Sequence, residues 1–113
     1  MGAEKYPHVF SPIRLGPIEV KNRFYFSPHG TPYQMASGPT DAFVAYYVER
    51  ARGGCGLTFH AMSVMPRRAG GSNANPYLPE SVPNFAAAAQ AVHDAGAKIF
   101  GQIHYSRVGN LWR

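Results

Sequence analysis

Twice in this chain a stretch of helical periodicity runs into glycine and passes directly into a short apolar run. The first passage is Asp41 to Arg52, then Gly53-Gly54, then Leu57 to His60. The second is Pro83 to Ala95, then Gly96, then Lys98 to Ile103. In the first helix Val44, Tyr47, Val48 and Ala51 share one face, with Phe43 at its margin. Thr40 or Asp41 can cap its start, and Arg50 and Arg52 suit its negative end. In the second, Phe85, Ala88, Ala89 and Val92 face inward, Ser81 can cap and Pro83 suits the first turn. An apolar run, Phe24 to Phe26, precedes both units, and Pro28 and Gly30 end it. Helices alternating with strands predict right-handed crossovers and a parallel sheet.

Ahead of the sheet, Ile13 and Leu15 alternate with Arg14, and Ile18 and Val20 alternate with Glu19, around Gly16-Pro17. This predicts a short hairpin after a loose lead-in, Met1 to His8. Residues Thr31 to Pro39 and Met62 to Val82 are expected to be loops, the latter long enough to suggest function. Three parallel strands with helices on one side would leave one sheet face uncovered, and parallel sheets are normally covered on both. The 113 residues therefore predict a portion of something larger.

Charge excludes little but weakens one class. The net charge is +5, yet the basic residues are scattered and only Arg67-Arg68 are adjacent. No basic stripe interleaved with aromatics points to nucleic acid. Cys55 is the only cysteine, so no internal disulfide or CxxC pair exists, and a structural thiol is expected. The N-terminus carries no apolar leader pattern and no run approaches a membrane span, so a cytoplasmic protein is expected.

Chemistry is expected where the strands end. Ser27-Pro28-His29-Gly30 brings small groups and an imidazole to the exit of a strand predicted to be buried. His29, His60 and His104 stand at the ends of successive predicted strands, which leaves a metal-dependent barrel hydrolase as an alternative. Gln102 lies in the third strand, Arg67 and Arg68 could bind a phosphate or a substrate carboxylate but are expected in a solvated loop, and His93 lies on an exposed helix side.

Several segments in order resemble one family. Phe10-Ser11-Pro12-Ile13-Arg14-Leu15-Gly16, Lys21-Asn22-Arg23 and Ser27-Pro28 resemble the opening of the Old Yellow Enzyme-like NADH:flavin oxidoreductases. Tyr46-Tyr47 with Arg50-Ala51, Gly54-Cys55-Gly56-Leu57, and Ala91 through Ile103 resemble the helices and strands that follow. Asn22-Arg23-Phe24-Tyr25 with Pro28-His29 resembles the branch of trimethylamine dehydrogenase, which shares a wider group with dienoyl-CoA reductases.

The resemblance implies the N-terminal portion of a (β/α)₈ TIM barrel, a fold of about 250 residues. Residues 9–20 would be the bottom hairpin, and 21–113 would supply three strands and two helices, an incomplete barrel. It implies an FMN-dependent oxidoreductase, passing a hydride from NAD(P)H to an activated alkene or oxidising an amine. Ser27, Pro28, His29 and Gly30 would run beside the flavin, Ala61 would leave room for the ring, and Gln102 would pair with its polar edge. Gly30 replaces a Thr or Cys of relatives, which excludes a covalent flavin there. His60 replaces a frequent Glu, and Tyr105 stands in the place of a His, so these two are the catalytic candidates. A phosphate clamp, an iron–sulfur cluster (4Fe-4S) and a second nucleotide site would belong to later polypeptide. A small-molecule substrate, an electron-transfer partner, and a complementing chain or homo-oligomer are the partners to expect. A truncated or part-barrel chain without activity of its own is the non-catalytic alternative.

Overall fold

The computed structural model describes residues 2–35, 38–63, 75–76 and 78–104. Arg67 and Arg68 of the expected long loop, and Tyr105, Ser106 and Arg107, lie outside the described residues.

The expected loose lead-in is instead two short helices, α1 (Gly2–Lys5) and α2 (Pro7–Phe10), with Pro7 in the first turn of α2. The hairpin forms as expected from β1 (Ile13–Leu15) and β2 (Ile18–Val20), with Ile13 opposite Val20 and Leu15 opposite Ile18. Gly16 takes φ +59° in its turn, a region that glycine enters without steric cost. Strand β3 (Tyr25–Phe26) follows. The segment expected to be a plain loop contains a second small hairpin, β4 (Gln34–Met35) with β5 (Gly38–Pro39). The two-residue strands are too short to show any alternation, so sequence pattern could not reveal them.

Helix α3 (Asp41–Arg52) starts and stops where its chemistry predicts. The Thr40 side chain accepts a hydrogen bond from the Phe43 amide at 3.3 Å, and Gly54 follows in the left-handed region at φ +104°. Phe43 lies at the centre of the buried face, not at its margin, because the face runs through Phe43, Tyr47 and Ala51. Strand β6 (Leu57–Ser63) and strand β7 (Lys98–His104) extend beyond their expected ends. Between them, a 3₁₀ turn (Pro79–Ser81) leads into α4 (Val82–Asp94). Ser81 does not cap that helix with its side chain. Its hydroxyl donates to the carbonyls of Leu78 at 2.7 Å and Asn75 at 3.0 Å, tying down the preceding turn. Gly96 ends α4 at φ +82°, as its position predicts.

The parallel sheet has the order β3-β6-β7. Helices α3 and α4 pack on one of its faces, and the core lies there: Phe43, Tyr47, Ala51, Val92 and Ala97. Fully burying one aromatic of this size contributes about 2–3 kcal/mol. The opposite face carries Tyr25, Phe59 and Phe100 and has no helix on it among the described residues. Tyr25 is 66% exposed, so β3 is not the buried strand that its aromatic run suggests. The strands form an open sheet rather than a closed barrel among the described residues.

Lys21-Asn22-Arg23 holds the N-terminal ends of these strands together. Asn22 is 7% exposed, and its amide donates to the Gly54 carbonyl at 2.7 Å while its side-chain oxygen accepts from the Phe24 amide at 3.1 Å. Gly56 lets that side chain in, since a Cβ there would stand 2.5 Å from Asn22 Oδ1. Lys21 Nζ donates to the Ala51 carbonyl at the end of α3, a favourable place for a cation. The Arg23 amide donates to the Val9 carbonyl at 2.9 Å, which anchors α2 beneath the sheet.

Candidate flavin site

The candidate site is assembled at the C-terminal ends of β3, β6 and β7. Side chains alternate between the two faces of a strand, so register decides what shares a face. The β6–β7 register pairs Phe59 with Phe100 and Ala61 with Gln102. The rings of Phe59 and Phe100 are 5.8 Å apart, and Tyr25 on β3 stands 6.1 Å from Phe59. Ala61 and Gln102 continue the same face two residues further on, at the open ends of their strands. Two of the residues singled out from sequence are therefore direct neighbours, although 41 positions separate them in the chain. Gln102 is exposed, with an amide that can donate and accept at once.

Beyond β3, Ser27 and Gly30 are exposed and Pro28 and His29 are half-buried. A Cβ added at Gly30 would meet nothing within 4 Å among the described residues. The strand exit is bordered by open space, and glycine there leaves that space unfilled. The His29 ring is turned onto the helix side. It stands edge-on to Phe26 at 4.9 Å, with Nε2 2.9 Å from the Tyr46 hydroxyl. In this segment the backbone, not the imidazole, borders the open side.

His60 falls on the opposite face from Ala61. It is 3% exposed and stacks among Phe43 at 4.3 Å, Phe85 at 5.2 Å and Tyr47 at 6.5 Å. Burial lowers its pKa to about 4, because the charged imidazolium would lose its water. This is the environment of a neutral core imidazole, on the helix side of the sheet. Burial likewise pushes the Tyr47 hydroxyl up to about 12, and it donates to the Phe59 carbonyl at 3.0 Å. Among the described residues no three His, Cys, Asp or Glu side chains come together as metal ligands. His29, His60 and His104 thus do not form the cluster that a metal-dependent hydrolase would need. Cys55 donates to the Leu57 carbonyl at 3.1 Å, consistent with a structural thiol.

Two residues near the strand exit, Tyr46 and Arg50, are not among the site residues expected from sequence. The Arg50 guanidinium carbon lies 3.2 Å over the Tyr46 ring and 4.9 Å from that of Phe26. The i,i+4 spacing of Tyr46 and Arg50 was the available signal.

Among the described residues, Ala61 and Gly30 are small groups at the strand ends, and Gln102 offers a paired donor and acceptor. The chain is similar to N,N-dimethylglycine/sarcosine dehydrogenase of Chromohalobacter salexigens, 32% identical over 109 residues, covering 92% of this chain and 16% of that protein. It is similar to NADH oxidase of Thermoanaerobacter brockii, 35% identical over 106 residues, covering 89% of this chain and again 16% of the relative. Its fold is similar to a variant of NCR from Zymomonas mobilis, an Old Yellow Enzyme homologue, with a TM-score of 0.76 and 28% identity over 88% of this chain and 33% of that one. These solved neighbours are TIM barrels, and the open sheet corresponds to part of a barrel wall. Residues 8–109 match the sequence profile of one family across nearly the whole chain, and the chain belongs to the NADH:flavin oxidoreductase / NADH oxidase family.

Proposed function

We propose that this chain forms one wall of the FMN site of an oxidoreductase, and that the polypeptide carrying it transfers hydride through that flavin. The observation that carries this reading is the Ala61–Gln102 register pair on the open face, at the C-terminal ends of the strands. When bound, the flavin supplies the hydride chemistry, and the protein supplies orientation and electrostatics. Gln102 would donate to and accept from the polar edge of the ring. Ala61 and the backbone of Ser27, Pro28 and Gly30 would set how closely the ring approaches the wall. Tyr105 stays a candidate for the proton-handling role; His60 is better suited to the core that encloses it. Gly30 carries no side-chain nucleophile, so flavin is held without a covalent bond at this position.

The similarity to a dimethylglycine/sarcosine dehydrogenase and to an NADH oxidase supports two sources of electrons, a small amine or NAD(P)H. The phosphate clamp and any iron–sulfur cluster or second nucleotide would be supplied by polypeptide other than the described residues. No helix among those residues is long and apolar enough to cross a membrane. The test is an FMN titration of the full-length polypeptide carrying this sequence, followed by flavin fluorescence, with metal analysis beside it. Replacing Gln102→Leu leaves the edge of the ring without partners and is expected to weaken FMN binding about tenfold. A wild-type protein that takes up zinc and no FMN would overturn the reading.

A further inference from the structure

The aromatic cluster behind the strand exit does more than fill space. His29 belongs to the Ser27–Gly30 segment, and two contacts fix its ring: Nε2 lies 2.9 Å from the Tyr46 hydroxyl and Nδ1 lies 3.4 Å from the Ser27 carbonyl oxygen. A carbonyl only accepts, so we assign the hydrogen to Nδ1, which leaves Nε2 of the neutral imidazole to accept from Tyr46. Tyr46 is itself held. Arg50, one turn along α3, donates from Nη1 to the Tyr46 carbonyl at 2.6 Å and lays its guanidinium on the Tyr46 ring at 3.2 Å. The Tyr33 ring, from the far side of the loop, stands 5.7 Å from that of Tyr46. Phe26, the last residue of β3, is in edge contact with both His29 and Tyr46.

We propose that Tyr46, backed by Arg50, is a positioning residue that latches His29 to α3 and so sets the backbone of Ser27–Gly30 against the flavin. The inference rests on the flavin reading above. The physical reason for a latch is the glycine. With no side chain at Gly30, and nothing among the described residues within 4 Å of where a Cβ would stand, no side-chain contact fixes the segment at that point. Between Phe26, packed on the core, and buried Thr31, the tether at His29 then helps to set where Ser27, Pro28 and Gly30 stand. The hydroxyl is the part of Tyr46 that reaches His29, while its ring supports packing and the Arg50 stack. Removing the hydroxyl alone separates the two roles.

The experiment uses Tyr46→Phe in the full-length polypeptide, with Arg50→Lys as a second variant that keeps charge but loses the planar stack. The first readout needs no flavin: the ¹⁵N chemical shifts of the His29 ring, which report the tautomer and the hydrogen bond at Nε2. The second is the FMN dissociation constant, and the third is the midpoint potential of the bound flavin. Wild type is expected to show His29 as the Nδ1–H tautomer with Nε2 accepting. Tyr46→Phe is expected to mix the tautomers, weaken FMN binding about fivefold to tenfold and shift the potential, with thermal unfolding nearly unchanged. Arg50→Lys is expected to do the same to a smaller degree. Unchanged ring shifts in Tyr46→Phe would show that no latch exists. Altered ring shifts with unchanged FMN affinity and potential would show that the latch does not position the flavin, and the proposal would be wrong. Failure of the wild type to bind FMN would overturn the flavin reading, and with it the positioning role, while the ring shifts would still show whether the His29–Tyr46 bond forms.

Discussion

The two ends of the same three strands are built on opposite plans. At the N-terminal end, polar groups are consumed by the protein itself. Asn22 spends its amide on Gly54 and its carbonyl on Phe24, Lys21 is bonded to Ala51, and Gly56 closes the gap to Asn22. At the C-terminal end, His29 is held by Tyr46, but other groups have no such partner among the described residues. Gln102 is exposed with Ala61 beside it, and Gly30 faces space. The difference teaches where stability resides in this chain and supports placing the proposed ligand chemistry at the other end. A buried polar network that is fully satisfied rigidifies its surroundings, and an unsatisfied exposed one is available to a partner. The division matches the barrel rule that the bottom supports the fold and the top carries the site.

That contrast can be broken by substitution at either end. The largest effect is expected from Asn22→Ala, which leaves the Gly54 carbonyl and the Phe24 amide without their partner. A loss of about 3 kcal/mol is expected from two such groups, measured as the shift in the urea unfolding midpoint. A change below about 0.5 kcal/mol would show that the bottom is not the anchor proposed here.

The next effect concerns His60, on the helix-facing side between the two ends. Its pKa is about 4 in the fold and 6.5 when exposed, so between those values the unfolded chain binds more protons than the native one. Stability should therefore be fully present above pH 6.5 and be lost as pH falls toward 4, by about 2–3 kcal/mol. Unfolding curves from pH 7 down to pH 4 for wild type and His60→Leu check this. An identical slope in the variant would place the acid sensitivity elsewhere. The smallest effect belongs to the top. Gly30→Ala meets no atom within 4 Å and has no left-handed φ to strain, so stability should stay within about 0.5 kcal/mol. A large loss on melting would mean that the strand exit is as tightly built as the strand entrance.

The fold was legible from sequence to the extent that its signals are local. The bounds of α3 follow from Thr40 at one end and Gly53-Gly54 at the other, and the structure agrees to the residue. The β1–β2 hairpin follows from the alternation around Gly16-Pro17. The two-residue strands β4 and β5 and the short α1 and α2 carry too few residues for a period to show. Sequence placed Arg50 at the negative end of its helix, whereas the Tyr46 face and carbonyl hold its guanidinium against the helix. His60 and Ala61 were both named from sequence as site residues, yet they point to opposite faces: one is packed with Phe43 and Phe85, the other stands beside Gln102.

By itself the sequence determined the kind and order of the longer elements with their caps and turns, because propensity, periodicity and capping act within a few residues of one another; the family followed from the resemblance of its motifs. Only the tertiary structure decided which polar groups are consumed and which remain free. Asn22 meets Gly54 across 32 positions and Ala61 meets Gln102 across 41. Contacts at that separation depend on the register of β6 against its neighbours. A slip of one residue in β6 would exchange the faces of His60 and Ala61. Burial of His60 against the two helices resists that slip, and so the core on one side of the sheet fixes the site on the other.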